Sequence, residues 1–194
     1  AGVNLNKFKY IEILKKNIVL LPARVLVEKG ILEFIEASKP LSLKYSKWKF
    51  LVAGALDYRK NSKNNKKLKK INLYKYKNIK FLGYKKNISN LFNQSSIVCL
   101  PSYREGFPKS LIEASSSGCA IVTTNVPGCR EAVKNKINGF LCKVKNANSL
   151  RKKIEEIMVN KKLRIKFSKN SRKIAIKNYD IKRFIKINIK QYEI

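Results

Sequence analysis

Two carboxylates, Glu105 and Glu113, stand eight positions apart in the stretch Arg104-Glu105-Gly106-Phe107-Pro108-Lys109-Ser110-Leu111-Ile112-Glu113-Ala114, in a chain that carries 44 Lys+Arg and only 12 Asp+Glu. Ionised carboxylates only accept hydrogen bonds, so their natural partners on a ligand are neutral hydroxyls. Between them, Gly106 lets backbone approach a ligand closely, and Pro108 suits the first position of a helix, where no N–H is needed. The first N–H groups of that helix, those of Lys109, Ser110 and Leu111, favour a phosphate. Side chains on a helix lean toward its N-terminus, which aims Glu113 back at the same ligand. Two polyol-binding carboxylates flanking a phosphate site describe a nucleotide-sugar. The competing reading at each position is ordinary loop scaffolding.

Other residue types limit the chemistry. The chain has no His, which removes the usual general base. Asp57 and Asp180 are its only aspartates, so no Asp-x-Asp metal motif exists. The four cysteines, Cys99, Cys119, Cys129 and Cys142, form no C-x-x-C pair, so a zinc site is not expected; no other metal or cofactor is expected either, since basic residues and a helix dipole can handle a diphosphate. Their small and apolar surroundings fit reduced thiols of a cytosolic protein. Cys129, in Pro127-Gly128-Cys129-Arg130-Glu131, lacks a His to activate it as a nucleophile; a Pro-Gly turn opening a helix, with Glu131 on its first turn, accounts better for that stretch.

A second loop offers cations. The run Ile18-Val19-Leu20-Leu21 leads into Pro22-Ala23-Arg24 and then Val27-Glu28-Lys29-Gly30. If that run is a strand, Arg24 and Lys29 sit at its C-terminal end, where two cations can neutralise a pyrophosphate and stabilise charge on a departing diphosphate.

The elements that must hold these loops are short. Apolar runs recur at 18–21, 50–53, 79–82, 97–100, 120–123 and 139–142, most of them continuous, as in strands buried on both faces of a parallel sheet. Helical patterns lie between them, over Lys29–Ser38, Pro108–Ser117 and Asn146–Asn160. Asn138-Gly139 is expected as a tight turn before the last strand. Two more amphipathic helices follow Lys161, one to Asn178 and one from Ile181 to the end. Residues 59–78, rich in Lys and Asn, are expected as a loop plus an exposed helix. The alternation predicts an α/β fold: a doubly wound, Rossmann-like parallel sheet. With 194 residues, 44% of them hydrophobic, the chain can bury one sizeable core. No apolar run is long enough for a membrane span. The start, Ala1-Gly2-Val3, without an initiator Met, is expected to lie inside a longer protein.

The formal net charge of +32 invites an anionic partner. Only eight of the 44 basic residues are Arg, and Lys travels with Asn and Ile along the whole chain. That is a compositional drift rather than a nucleic-acid reader, in which Arg forks would dominate, so no specific nucleic acid is expected. An anionic membrane surface fits better.

The segments GVNLNKF (2–8), LLPARVLVEKGILEFIEA (20–37), FLVAGALD (50–57), IKFLGYKKNISNLF (79–92), SIVCLPSYREGFPKSLIEASSSGCAIVTTNVPGCREAV (96–133) and NGFLCKV (138–144) carry a resemblance. The chain resembles the C-terminal half of retaining glycosyltransferases of the family 4 type, whose GT-B architecture pairs two Rossmann-like domains. The resemblance implies that Glu105 contacts the donor sugar at the reaction centre and Glu113 holds the ribose. It implies further that the backbone of Gly106, Phe107 and Pro108 lines sugar and phosphates, that the Ser110 and Leu111 amides meet the diphosphate together with Arg24 and Lys29, and that the Gly83-Tyr84 turn meets the base. It implies a nucleotide-sugar-binding domain over 1–178 and a helix, 179–194, crossing back to an N-terminal domain that binds a saccharide or lipid-linked acceptor. The implied donor is a UDP-hexose handled without metal, and the implied location is cytoplasmic, peripheral on the inner membrane face. The fragment alone would not transfer sugar.

Overall fold

The computed structural model describes residues 2–55 and 79–192. The Lys/Asn-rich stretch 59–78, read from sequence as a loop and a helix, lies outside the described residues. Among the described residues, β1 (Lys16–Leu21), β2 (Lys49–Val52), β3 (Ile79–Phe81), β4 (Ser95–Leu100), β5 (Ala120–Thr124) and β6 (Gly139–Cys142) form one sheet in the order β3-β2-β1-β4-β5-β6. All neighbours pair in parallel, with Val19 opposite both Phe50 and Ile97, and Ile97 opposite Ala120. The expected doubly wound α/β sheet is present. Its order reverses between β1 and β4, and such a switch point opens a crevice beyond the carboxyl ends of the strands.

The continuous apolar runs are explained by burial on both faces. On one face Val19, Leu21, Phe50, Val52, Ile97, Cys99 and Val122 join a core with Ile31, Phe34, Leu150 and Phe167. On the other, Leu20, Leu51, Val98, Leu100 and Ile121 join Phe92, Leu111 and Ile112. Among the described residues the covering helices are α1 (Ile31–Lys44), α2 (Ser89–Gln94), α3 (Lys109–Ser116), α4 (Pro127–Ala132), α5 (Ala147–Val159) and α6 (Lys161–Asn178); α7 (Ile181–Tyr192) follows, with Ile181, Ile185 and Ile189 exposed. All four cysteines are buried and unpaired, and burial raises each thiol pKa, that of Cys142 to about 12.

Several boundaries differ from the sequence reading. The first helix begins later and ends later than Lys29–Ser38. Gly30 is left-handed (φ 72°), so Val27–Lys29 form a separate 3-10 turn and the α-helix starts at Ile31. It then continues through Pro40, where a stop is the rule, because Leu41 is seated in the core and the next turn closes with Tyr45 N–H on Leu41 O at 2.9 Å. Asn146 and Asn160 cap α5 and α6 rather than bound one helix: their side chains accept from Ser149 N–H (2.7 Å) and Leu163 N–H (2.9 Å). Pro108 is the residue before α3, not its first residue, with an extended ψ of 109°. Pro127 does open α4, but Glu131 is the fifth residue of that six-residue helix and falls past its first turn.

Candidate functional site

The described segments leaving the carboxyl ends of β1 to β5 meet at one edge of the sheet, where the crevice opens, and are stitched together by contacts between loops. Val25 N–H donates to Ala55 O (2.9 Å), Gly54 N–H to Gly83 O (3.0 Å), and Tyr103 N–H to Glu28 O (2.9 Å). A β-carbon on Gly30 would lie 2.1 Å from Pro101 O, and one on Gly128 would lie 1.9 Å from Gly106 O. The loop after β1 therefore abuts the loop after β4, and the start of α4 supports that loop from behind.

The loop after β4 carries the first carboxylate. Ser102 is fully buried; its carbonyl accepts from Thr124 Oγ1, and its hydroxyl donates to Glu105 Oε1 at 2.7 Å. Lys29 Nζ donates to the same oxygen at 2.7 Å, with side-chain exposures of 23% for Lys29 and 12% for Glu105. Both partners occupy Oε1, which leaves Oε2 to accept from other groups. Sequence reasoning assigned Lys29 and Glu105 to different parts of a ligand. The fold brings them into one ion pair, because the 3-10 turn before Gly30 turns Lys29 toward the neighbouring loop. Arg24 lies exposed on the same β1 loop.

Past Glu105, Gly106 is exposed and a β-carbon there would meet nothing within 4 Å, so its backbone is open to the crevice. The Phe107 ring is engaged elsewhere, edge-to-face with Tyr179 at 5.8 Å. Pro108 leads into α3, where the Leu111 N–H turns back onto Pro108 O at 3.0 Å. Lys109 and Ser110 supply the other amides of that first turn, at the positive end of the helix dipole.

Glu113 follows one turn in, half-buried, and burial raises its pKa above the usual 4.5 while Lys109 and Lys7 oppose the rise. Lys7 was not singled out from sequence. It is held by a turn in which Asn4 Oδ1 accepts from Asn6 and Lys7 N–H, both at 3.0 Å. Arg172 ties that segment to α3, donating to Phe8 O (3.1 Å) and Ser116 O (2.8 Å). Ser102 was missed as well; its one signal is a hydroxyl three residues before Glu105 at a strand end. Gly83, with φ 65°, and Tyr84, 76% exposed, lie beyond β3, two strands from β1.

The arrangement offers hydroxyl acceptors at both ends, on Glu105 and Glu113, with helix amides and cations near the middle. Cys129 stands behind the loop as a buried thiol of raised pKa, unsuited to nucleophilic attack.

Proteins similar to this chain in sequence or in fold carry glycosyltransferase names. The chain is 34% identical over 204 residues to N,N'-diacetylbacillosaminyl-diphospho-undecaprenol alpha-1,3-N-acetylgalactosaminyltransferase of Campylobacter jejuni, across 96% of this chain and 52% of that protein. The chain thus spans about half the length of the curated relatives it matches. Its fold matches HepE of Anabaena, crystallised in complex with UDP and glucose, with a TM-score of 0.83 at 21% identity, over 99% of this chain and 54% of that one. It also matches the C-terminal domain of a glycosyl transferase group 1 family protein (LpcC) of Francisella tularensis, with a TM-score of 0.80 at 25% identity, over 93% of this chain and 100% of that one. The family model for glycosyl transferases group 1 covers residues 3–174, and the chain belongs to that family.

Proposed function

We propose that this chain is the donor-binding half of a retaining hexosyltransferase that uses a UDP-hexose. The observation that carries the reading is the Lys29–Glu105–Ser102 cluster set beside the head of α3, with Glu113 one turn further in. In this reading Glu105 accepts from hydroxyls of the transferred sugar, and Glu113 accepts from the ribose diol. The diphosphate lies between them, on the amides of Ser110 and Leu111 and on Arg24 and Lys29, with the backbone of Gly106, Phe107 and Pro108 as the floor. The Leu111 amide serves by sharing its N–H with Pro108 O. Gly83 and Tyr84 meet the uracil.

Arg24, Lys29 and the helix dipole stabilise the charge that grows on the departing diphosphate, so no metal is invoked. Retention follows if the acceptor hydroxyl attacks from the face the diphosphate leaves, with a leaving-phosphate oxygen taking the proton. Residues 1–178 form the donor-binding domain. The segment 179–194 crosses to an N-terminal domain, which binds a saccharide or lipid-linked acceptor, as the diphospho-undecaprenol in the Campylobacter relative's name supports. The whole enzyme works on the cytoplasmic side of the inner membrane as a peripheral protein. Among the described residues, no helix is long and apolar enough to cross a membrane.

The test is a thermal shift with UDP. At about 100 times Kd, binding adds roughly 2.7 kcal/mol, a rise on the order of 5–10 °C for a domain of this size. No rise with UDP or any other nucleoside diphosphate, up to millimolar ligand, would overturn the reading.

A further inference from the structure

The pole of the sheet opposite the crevice carries a surface that donor binding does not explain. There the chain turns at Glu12–Leu14 before entering β1, and Ile11, Ile13 and Leu14 are 39%, 90% and 42% exposed. The turn is held in that posture. Leu14 N–H donates to Ile11 O and Lys15 N–H to Glu12 O, both at 3.1 Å. Its two ends are fixed as well: Phe8 is buried, and Lys15 Nζ donates inward to Ser95 O (2.8 Å) and Phe92 O (3.1 Å). The apolar tips therefore cannot fold back into the core without unmaking those bonds.

Cations surround them. Along α6, Lys162, Lys166, Lys169 and Lys173 recur at intervals of four, three and four, all exposed, which makes one lysine face of the helix. Lys169 Nζ lies 3.9 Å from Glu12 Oε2, which ties this face to the turn and pairs the turn's one acid. Lys9 and Lys16, also exposed, flank the turn in sequence. Behind it lies a cavity of about 640 Å³, lined by Tyr10, Ile13, Lys15, Lys161, Arg164 and Ile165 among others.

We propose that this pole docks on an anionic phospholipid bilayer, with Ile11, Ile13 and Leu14 entering the boundary between headgroups and acyl chains and the α6 lysines resting on lipid phosphates. An exposed apolar tip ringed by Lys matches the layered chemistry of that boundary, apolar below and anionic above. Charge alone would make every face of a +32 chain adhesive; the turn adds an apolar contribution that salt does not screen. The docked pole retains the protein at the bilayer. It sets the crevice about one strand length, roughly 20 Å, away from the lipid, so anchoring and donor binding are separate.

Co-sedimentation of the chain with phosphatidylcholine vesicles, with and without phosphatidylglycerol, tests this. Binding is expected to the anionic vesicles and to persist in part at high salt. Ile13→Asp is expected to lower partitioning about ten-fold and to remove the salt-resistant part. Lys162→Glu with Lys166→Glu is expected to weaken the salt-sensitive part. Ile185→Asp, at a 50% exposed site on α7, whose preceding Tyr179 packs on Phe107 at the crevice end, is expected to change neither. Ile13→Asp with unchanged binding, an equal loss from Ile185→Asp, or duplex DNA bound in preference to anionic vesicles would each overturn the proposal. An unchanged melting temperature in Ile13→Asp confirms that lost partitioning is not lost folding.

Discussion

Glu113→Ala is expected to weaken UDP binding about 10- to 100-fold, the effect of losing hydrogen bonds from two ribose hydroxyls to a charged acceptor. Glu131→Ala, on the next helix, α4, is expected to leave UDP affinity unchanged. The reason lies in how Glu113 is held. It is half-buried on a helix whose N-terminal amides favour anions, its pKa is raised by burial, and Lys109 and Lys7 supply the nearest opposing charge. A carboxyl whose folded pKa lies above its unfolded value stabilises the fold below the unfolded value, near 4.5, and that contribution is lost as pH rises through the raised folded value. Glu113→Gln is neutral throughout. It should therefore melt higher than the parent chain at pH 7, with the difference vanishing toward pH 4, while still binding UDP less tightly. A Glu113→Gln protein with lowered stability at pH 7 and full UDP affinity would remove Glu113 from the site.

The Lys29–Glu105 pair gives the second large effect. With both side chains mostly buried, Lys29→Ala strands the Glu105 carboxylate beside the crevice with the Ser102 hydroxyl still donating to it. That is expected to cost about 1–3 kcal/mol of stability. UDP affinity should fall about ten-fold, because one cation for the diphosphate is gone and an unneutralised carboxylate now faces it. Glu105→Gln should act the other way on UDP. It releases Lys29 to the diphosphate and removes a repelling charge, so UDP binds as well as before or more tightly. What Glu105→Gln should lose is the advantage of a UDP-hexose over UDP, since the charged acceptor for sugar hydroxyls is gone. Titration calorimetry of both ligands against both variants separates these outcomes. Equal weakening of UDP and UDP-hexose by Glu105→Gln would place Glu105 on the nucleotide rather than on the sugar.

Much of the fold could be read from the chain because its signals are local. Runs such as Ile97-Val98-Cys99-Leu100 are continuous because both faces of β4 are covered, and each of the six sheet strands is centred on an apolar run. The two carboxylates and the helix start between them are likewise a local pattern, and the structure sets them at the switch point. The features that escaped are long-range. Nothing near Pro40 in sequence says that Leu41 will be seated in the core and carry α1 onward. The six-residue α2 has no side-chain cap and exists because Phe92 packs, edge-to-face with Phe8 at 5.6 Å. The Lys29–Glu105 contact joins residues 76 positions apart, and Lys7 reaches α3 only because Arg172 clamps its segment there. Such contacts are set by topology, which the spacing of residue types along one chain does not record.

A structure of the chain with UDP tests the central claim most directly. The account predicts the diphosphate at the head of α3, within hydrogen-bond reach, about 2.7–3.2 Å, of the Ser110 amide and of Arg24 or Lys29, with the ribose hydroxyls on Glu113. UDP bound elsewhere, for instance in the cavity behind Ile13, with the head of α3 and Glu113 untouched, would contradict it.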